Sequence, residues 1–366
     1  MTQTELLNFI KEHSIKKILV IQTAFIGDVV LTTPMLKEIK KSYPDIKLSV
    51  LVKPEAKQIL EPLNFVDDII VIDKNNRHKY WGMLKIIQHI RNQKFDIILS
   101  PHQSFRTGLI VYFSQAPIRI GYNTASLSFA YNLKLQRTNK HEIHRLLDFL
   151  KDSICPNLSH YPNAPILEET ESSKKKAKNL IKDFATSPVA FACSSIWPTK
   201  RWTPWGFAEL AGLVVESYKS PVILIGSKGD YELSEYILQY AKHILPKHIH
   251  NQIYNFCGKT DLITLYSLLK RCKFLVSNDS APVHFGCAAH IPVIAIFGPT
   301  TKDLGYAPIC DNSRVVEIEG LYCRPCGTHG GKKCPEKHFR CMKEITPRMV
   351  MEKIKEVYNL GNLYGN

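Results

Sequence analysis

The sequence predicts an α/β protein made of two doubly wound domains, each with a parallel β-sheet between layers of helices. Two observations lead to this fold class. Short β-branched segments alternate with amphipathic segments in both halves of the 366-residue chain. The predicted strands are also apolar on both faces, which is typical of a parallel sheet covered by helices. The length is that of two ordinary domains rather than one.

The predicted strands form two groups. In the first half they are 16–22, 47–52, 68–72 and 95–100, and in the second half 188–193, 221–226, 272–277 and 291–298. Helix-like segments lie between them, such as 34–43, in which Met35, Leu36, Ile39 and Tyr43 share one face. A polar, weakly patterned stretch predicts a linker near 165–187. The expected domains are therefore 1–175 and 176–366.

The charge of the chain favours an anionic partner. Lys and Arg number 48 against 33 Asp and Glu, a formal charge of +15, which suits nucleic acid, an anionic membrane surface or a phosphorylated substrate. A solvated basic surface, above all along 172–183, is the alternative. No apolar run approaches the roughly 18 to 20 residues that span a bilayer, and the N-terminus lacks the apolar centre of a signal peptide. We expect a soluble, cytoplasmic protein.

Ligands of doubly wound sheets bind beyond the carboxyl ends of the strands, so the loops that follow strands are searched first. The first such loop lies in "IQTAFIGDVVLTTPML" (21–36). Gly27 allows the backbone to approach a ligand closely, and the Asp28 carboxylate could accept a proton from an attacking hydroxyl group. Capping of the next helix is the alternative role for Asp28. Thr33 and Pro34 predict the N-cap and first turn of that helix.

The second loop follows strand 188–193 and offers hydroxyl groups and cations. Ser194 and Ser195 come directly after the strand, and Lys200 and Arg201 lie where cations would meet a phosphate-bearing ligand. An exposed basic pair is the alternative for these two cations. An amphipathic helix is predicted to begin at 203–204.

Two further loops carry polar side chains. Asp230 and Glu232, in "IGSKGDYELSEYI" (225–237), could reach a ribose or could be ordinary acids at a helix N-terminus. In "FLVSNDSAPVHFGCAAHIPVIAIFGPTT" (274–301), Asp279 and Ser280 end a buried strand immediately before a short helix, a favourable place for a diphosphate. His284 lies one turn on from Ser280, on the same side. Neither half contains a Walker A or GxGxxG pattern, which disfavours an NTPase or a nicotinamide enzyme.

Five segments in this order resemble one family, the ADP-heptose lipopolysaccharide heptosyltransferases of glycosyltransferase family 9. After the opening strand, Gly-Asp loop and helix come "RIGY" (119–122), "WPTKRWTP" (197–204), "GSKGDYE" (226–232), "CGKTDLITLYSLLKRCKFLVSNDSAPVHFGCAA" (257–289) and "PVIAIFGPT" (292–300). The resemblance covers nearly the whole chain. It implies a GT-B fold, two Rossmann-like domains facing a cleft, with the acceptor on the N-terminal domain and the nucleotide-sugar on the C-terminal one. The last helix could pack back on the N-terminal domain.

The resemblance also assigns roles to individual residues. Asp28 matches the catalytic base and Lys200 the lysine that meets the donor phosphates. Glu232 matches an acid near the donor's ribose, and Asp279, Ser280 and His284 match the donor-binding loop, with Thr300 as its neighbour. Their places in the loops after strands make further substrate-binding candidates of Gly27, Ser194, Ser195 and Arg201. The chain departs from the family at Ser194-Ser195 and at Ala281, where glycine is usual. These departures leave the identity of the transferred sugar open.

The Cys-rich stretch 320–342 is a separate feature. Its spacing, Cys323-x2-Cys326-x7-Cys334-x6-Cys341, could hold zinc. The alternative, which the resemblance favours, is an insertion packed by reduced cysteines with an occasional disulfide. "HEIHR" (141–145) is interpreted as a helix face rather than a metal site. The separated residues Cys155, Cys193, Cys257, Cys272 and Cys287 are expected to be reduced.

The resemblance implies inverting transfer of heptose from ADP-L-glycero-D-manno-heptose to the inner core of lipopolysaccharide, with no metal and no cofactor. Its acceptor would be lipid A bearing Kdo, and the Cys-rich stretch favours addition of the second heptose. The basic charge would hold the protein peripherally at the anionic inner face of the inner membrane. Two alternatives stay open: a glycosyltransferase of the same fold with another nucleotide-sugar or acceptor, and a zinc-stabilised nucleic-acid-binding protein. No nucleic-acid-binding motif supports the second alternative.

Overall fold

The computed structural model describes residues 1–73 and 79–363. The chain forms two compact units, Met1–Leu167 and Glu168–Asn366. The boundary between the units lies within the linker expected near 165–187. It precedes the expected domain boundary at 175/176, which falls inside a helix, Glu171–Leu180, that packs on Leu262–Leu269 within the second unit.

The first unit alternates strands and helices. Its strands are β1 (Lys17–Ile21), β2 (Lys47–Val52), β3 (Asp68–Val71), β4 (Ile97–Ser100), β5 (Ile118–Tyr122) and β6 (Leu133–Leu135). Its helices are α1 (Gln3–Glu12), α2 (Ile26–Ser42), α3 (Lys57–Leu60), α4 (Lys79–Gln93), α5 (Phe105–Phe113) and α6 (Glu142–Lys151). The strands pair in parallel in the order β3-β2-β1-β4-β5-β6. Because Ile18–Ile21 of β1 are fully buried, this strand is apolar on both faces, as the sequence predicts.

The second unit repeats this plan. Its strands are β7 (Val189–Ala192), β8 (Val222–Ile225), β9 (Ile253–Asn255), β10 (Leu275–Asn278), β11 (Val293–Ile296) and β12 (Ser313–Val316). Its helices are α7 (Glu171–Leu180), α8 (Pro204–Tyr218), α9 (Tyr231–Ile244), α10 (Lys247–His250), α11 (Leu262–Leu269), α12 (Pro282–Ala288), α13 (Arg340–Lys343) and α14 (Pro347–Leu363). The parallel order is β12-β11-β10-β7-β8-β9, the Rossmann order of the first unit again. The strand order reverses at the β1/β4 pair in one unit and at the β7/β10 pair in the other.

The first helix after β1 differs from its sequence prediction. It was expected to begin at Thr33-Pro34, whereas α2 begins at Ile26 and carries Pro34 in its interior. A proline cannot donate to the carbonyl of the residue four positions earlier. Here the Thr33 hydroxyl donates to that carbonyl, of Val30, at 2.8 Å, so the oxygen is satisfied and the helix continues. Gly27 and Asp28 consequently lie in the first turn of a helix rather than in an open loop.

One other expectation was wrong. Cys287 was expected to be a reduced thiol, but it forms a disulfide with Cys310, whose Cα lies 5.6 Å from its own. That separation is in the normal range for a disulfide.

The last helix, α14, packs on α8, β11 and β12 within the second unit. Within 1–73 and 79–363, no helix is both long enough and apolar enough to cross a membrane.

Candidate functional site

Asp28 lies where the strand order of the first unit reverses. It follows β1 and occupies the first turn of α2, where its carboxylate accepts a hydrogen bond from the Phe25 backbone N–H at 3.0 Å. The capping role is therefore real. This cap is only one feature of the environment of Asp28, because the side chain is also half-buried beside other charged groups.

The surroundings of Asp28 raise the pKa of its carboxyl group. Burial raises its pKa from 3.8 to about 6, and the negative charge of Glu142 acts in the same direction. The Phe25 hydrogen bond and the positive charge of Lys53 oppose this effect without cancelling it. A carboxyl group with a pKa near 6 is mostly ionised at neutral pH yet binds a proton far better than a solvent-exposed aspartate.

Glu142 belongs to the "HEIHR" segment, which begins α6 next to α2. Its carboxylate is buried and paired with the Arg145 guanidinium and, at 3.3 Å, with Arg137. His141 precedes the helix, and its ring nitrogen accepts the Ile143 N–H at 3.3 Å. The segment thus lies in a helix, as expected, at its first turn, and Glu142 adds to the effect of burial on the pKa of Asp28.

His102 was not singled out from the sequence. It follows β4, the neighbour of β1, and its Nδ1 lies 2.8 Å from the Thr107 hydroxyl and 3.1 Å from the Thr23 hydroxyl. Thr23 itself follows β1. A histidine and two hydroxyl groups therefore line the same switch point as Asp28, in the first unit.

The second unit brings together Lys200, Asp279 and Thr300. The Lys200 ammonium contacts the Asp279 carboxylate at 2.5 Å, and the Thr300 hydroxyl donates to the same carboxylate at 2.6 Å. Lys200 keeps 12% of its side chain exposed and Asp279 keeps 9%. A largely buried cation held in place by one carboxylate is positioned to contact an anionic ligand.

Asn278 fixes this cluster to the sheet. Its amide donates to the Cys193 carbonyl at 2.8 Å, and its side-chain oxygen accepts the Trp202 N–H at 2.9 Å. The end of β10, the end of β7 and the Lys200 turn are thereby joined through one buried side chain. Because those two strands are the pair at which the order reverses, the cluster lies at the switch point of the second unit.

His284 is buried on α12. Burial lowers its pKa to about 4, and the charge of Lys200 acts in the same direction. The imidazole is therefore neutral at pH 7, and Lys200 rather than His284 provides positive charge here. Ser280 lies one turn earlier, with its hydroxyl donating to the Asn278 carbonyl at 3.2 Å. Ala281 has helical φ and ψ of −49° and −38°, so the backbone does not require the family's glycine at this position.

The acids of the third loop have different surroundings. Asp230 accepts hydrogen bonds from the Ser194 hydroxyl and from the Ser227 backbone and side chain, at 2.8 and 2.6 Å for the latter two. Glu232 is exposed in the first turn of α9.

Ser195 and Arg201 lie in the loop after β7. The Ser195 hydroxyl accepts the Trp197 N–H, and Arg201 donates to the Ser195 carbonyl at 2.8 Å.

The Cys-rich stretch 320–342 docks onto the Lys200 turn, which the sequence did not indicate. The Thr199 hydroxyl donates to the Gly331 carbonyl at 2.9 Å and accepts the Gly331 N–H at 2.7 Å. Gly330 has a φ of +80°, and a Cβ there would lie 3.1 Å from the Thr199 hydroxyl and 3.2 Å from a Lys200 side-chain carbon. Glycine therefore permits both the turn and the close approach.

The same stretch supports Thr300 and adds a histidine. Arg324 donates to the Thr300 carbonyl at 2.8 Å, and the Cys326 N–H donates to the Pro299 carbonyl at 2.7 Å. Burial lowers the pKa of His329, and the charge of Lys200 contributes while Asp279 opposes it. His329 therefore lies close enough to the Lys200–Asp279 ion pair for both charges to affect its pKa.

The thiols of this stretch are free. Cys341 is buried in the core beside Met342, and the other three, Cys323, Cys326 and Cys334, are partly exposed. Across 1–73 and 79–363, no three His, Cys, Asp or Glu side chains form a group that could hold a metal ion. In this structure the stretch is a packed insertion whose backbone buttresses the Lys200 turn.

Comparison with known proteins adds four findings. Residues 83–339 match the family described as "Glycosyltransferase family 9 (heptosyltransferase)". Lipooligosaccharide heptosyltransferase 2 of Haemophilus influenzae is 26% identical over 93% of this chain and 99% of that protein. Among solved structures, E. coli ADP-heptose lps heptosyltransferase II superposes with a TM-score of 0.77 at 22% identity, over 94% of this chain and 99% of the other. A glycosyltransferase family 9 protein of Veillonella parvula gives 0.82 at 22% identity, over 94% and 98%.

Proposed function

Because this chain belongs to glycosyltransferase family 9, the heptosyltransferases, we propose that it transfers heptose from ADP-L-glycero-D-manno-heptose to the inner core of lipopolysaccharide, adding the second heptose. Relatives named as the second heptosyltransferase, matched over nearly their full length, support this choice. The single observation that supports the chemistry best is Asp28, an acid whose pKa is raised to about 6 at the switch point of the first unit.

The proposed reaction is a direct displacement with inversion. A hydroxyl group of the acceptor attacks the anomeric carbon of the donor while its proton passes to the Asp28 carboxylate. The bond between that carbon and the phosphate oxygen breaks, and its electron pair leaves with ADP. A base whose pKa lies near the working pH is efficient for this proton transfer.

In this proposal the second unit binds the donor and the first unit the acceptor. Lys200, held by Asp279 and Thr300, faces the charge that grows on the departing diphosphate, with Arg201 nearby in sequence. Fixed cations at the place where charge develops are often the largest catalytic contribution. Ser194, Ser195, Ser280, His284 and Glu232 complete the proposed donor site, Glu232 at the ribose. Gly27 leaves room for the acceptor beside Asp28.

We propose that these side chains supply the positive charge without a metal ion. The decisive experiment measures ADP release from ADP-heptose with heptose-free and one-heptose lipopolysaccharide, with and without EDTA. Turnover is expected with the one-heptose acceptor and unchanged by EDTA, with an inverted anomeric configuration in the product. Turnover only with another nucleotide-sugar would favour the alternative enzyme of the same fold, which the departures at Ser194-Ser195 and Ala281 keep in view. DNA binding with no sugar transfer would favour the nucleic-acid-binding alternative.

The location follows from the acceptor. A lipid-anchored acceptor and a formal charge of +15 support peripheral association with the anionic inner face of the inner membrane. The protein would work on the cytoplasmic side, where electrostatic attraction raises its concentration near the acceptor.

The Cys-rich stretch should act through Lys200. Thr199→Val removes two hydrogen bonds to Gly331 while keeping the size of the side chain, and each such bond is worth about 1 kcal/mol. We expect KM for the donor to rise about tenfold with a smaller change in kcat. Thr186→Val is the matched control, because that hydroxyl donates to the Lys219 carbonyl in the same unit, outside the Lys200 cluster. Equal donor KM values in the two variants would contradict a positioning role for the stretch.

A further inference from the structure

The middle of the first unit is unusually basic. Residues 74–141 contain eleven Lys and Arg residues but a single acid, Asp96. That carboxylate accepts the backbone N–H groups of Lys16 and Lys17, each at 2.8 Å, at the amino end of β1. Most of the net charge of the chain therefore comes from this one segment, which includes α4 and α5.

The outer face of α5 is apolar where a surface helix is normally polar. The inner side chains Ile110 and Val111 are buried in the core. Yet Phe105, Tyr112 and Phe113 on the other side are about half exposed, at 55%, 50% and 47%. The one charged residue of this helix, Arg106, is exposed among them.

These rings continue onto the neighbouring turn. Phe129, in the 3₁₀ turn 128–130 that packs on α5, is 64% exposed. Its ring centroid lies 5.6 Å from that of Tyr112, which in turn lies 5.1 Å from that of Phe113. We call Phe105, Tyr112, Phe113 and Phe129 the aromatic surface. On α4, which packs beside α5, Leu84 is 57% exposed and Lys85 is exposed next to it.

We propose that the aromatic surface inserts into the interface of an anionic lipid bilayer. Aromatic side chains favour the headgroup boundary, where an apolar ring is covered and a polar tip stays hydrated. The exposed cations Arg106 on α5 and Lys85 on the neighbouring helix α4, in a segment with a single acid, complement anionic headgroups rather than a protein of mixed charge. The inference rests on the proposed function only for its biological role: an acceptor anchored in lipid would explain why the enzyme binds a membrane. The vesicle binding itself does not depend on that function.

Insertion and electrostatic attraction differ in their response to salt. Attraction between the basic segment and the headgroups is screened as ionic strength rises. Salt does not screen the burial of aromatic rings in the bilayer. Part of the membrane binding should therefore persist at high salt, and that part should depend on the aromatic surface.

The test uses the full chain and vesicles of phosphatidylethanolamine with about 30% phosphatidylglycerol, an anionic surface, free of any sugar acceptor. Flotation is compared at about 0.1 and 0.5 M salt for the wild type, Tyr112→Ser/Phe129→Ser and the single variant Phe105→Ser. Tyr231→Ser/Tyr236→Ser is the matched control, since those tyrosines are 49% and 55% exposed on α9 of the second unit. Unfolding midpoints equal to that of the wild type ensure that folded proteins are compared.

We expect the wild type and the control to keep a bound fraction at high salt. The Tyr112/Phe129 variant should lose that fraction and bind about tenfold more weakly at low salt, and Phe105→Ser should fall in between. Equal binding by all four proteins would overturn the proposal. So would a wild-type dimer that the Tyr112/Phe129 substitutions convert to a monomer, because the surface would then be a protein interface.

Sugar transfer to a delipidated, water-soluble acceptor separates this inference from the proposed function. The Tyr112/Phe129 variant should transfer heptose to that acceptor at the wild-type rate. Absence of transfer by every protein, together with the expected vesicle binding, would overturn the function and leave the membrane surface supported.

Discussion

Replacing Asp28 by asparagine is expected to lower kcat/KM for heptose transfer by about 10²- to 10⁴-fold, the usual contribution of a general base. Asparagine keeps the size of the side chain and can still accept the Phe25 N–H, so α2 should begin normally. Affinity for ADP-heptose should be unchanged, because the donor is assigned to the second unit. Steady-state kinetics and calorimetric binding of the donor measure these two quantities.

The same substitution should stabilise the protein. A carboxyl group whose pKa is raised from 3.8 to about 6 holds its proton more tightly in the folded state than in the unfolded chain. The free energy of unfolding therefore falls as the pH rises from about 4 to about 6 and stays lower above that window. The asparagine side chain does not titrate, so at pH 7.5 the variant should be more stable by about 3 kcal/mol, a difference that largely disappears by about pH 4.

Asp45→Asn provides the control for both measurements, because Asp45 is an exposed acid of the same unit. It should change neither activity nor stability. An Asp28→Asn enzyme with wild-type kcat/KM would move the base elsewhere, and His102 at the same switch point would be the next residue to test.

Lys200→Met should have the second large effect. Loss of the cation that faces the diphosphate is expected to lower kcat/KM by about 10²- to 10³-fold, comparable to loss of one oxyanion donor. It should also destabilise the second unit by about 3 kcal/mol, because the buried Asp279 carboxylate would lose its partner. Activity and stability must therefore be separated.

The double variant Lys200→Met/Asp279→Asn separates them. It removes both charges of the buried pair, so most of the stability should return while activity stays low. Lys242→Met, on an exposed lysine of α9, is the control for loss of a positive charge in the same unit. Recovery of both stability and activity in the double variant would show that Lys200 has only a structural role.

Much of the fold could be predicted because its signals are local. The strands expected at 47–52, 221–226 and 291–298 are observed at Lys47–Val52, Val222–Ile225 and Val293–Ile296. The helix start at Thr203-Pro204 is also confirmed, with the Thr203 hydroxyl accepting the Gly206 N–H. The start of α2 was wrong, because the bond from Thr33 to Val30 that rescues an internal proline leaves no mark in a pattern of apolar residues.

The sequence predicts which residues of the candidate site lie together where those residues follow strands. It does not predict the contacts that form between segments distant in the chain. Asp28, Lys200 and Asp279 directly follow predicted strands or lie in the next turn, so the topology alone groups them by unit. Glu142 reaches Asp28 only because α6 packs on α2, more than a hundred residues along the chain. The docking of Gly330 and Gly331 on Thr199 likewise depends on tertiary contacts, although the spacing of the cysteines marks the stretch as special.

The disulfide between Cys287 and Cys310 was missed for a similar reason. The expectation of reduced thiols was drawn from the compartment expected for the chain and did not consider which sulfur atoms the fold brings together. The two residues are 23 apart in sequence, in a helix and in the loop before β12, and only the packing of those elements places them side by side.

The most direct test of Asp28 as the base is the pH dependence of kcat/KM for the wild type between about pH 4.5 and 8.5, with Asp28→Asn beside it. That ratio reports the pKa of the free enzyme's essential base. We predict a plateau above about pH 7 and a tenfold fall per pH unit below a midpoint near 6, with no such limb in the residual activity of the variant. A wild-type profile that stays flat down to about pH 5, or the same limb in Asp28→Asn, would contradict the assignment.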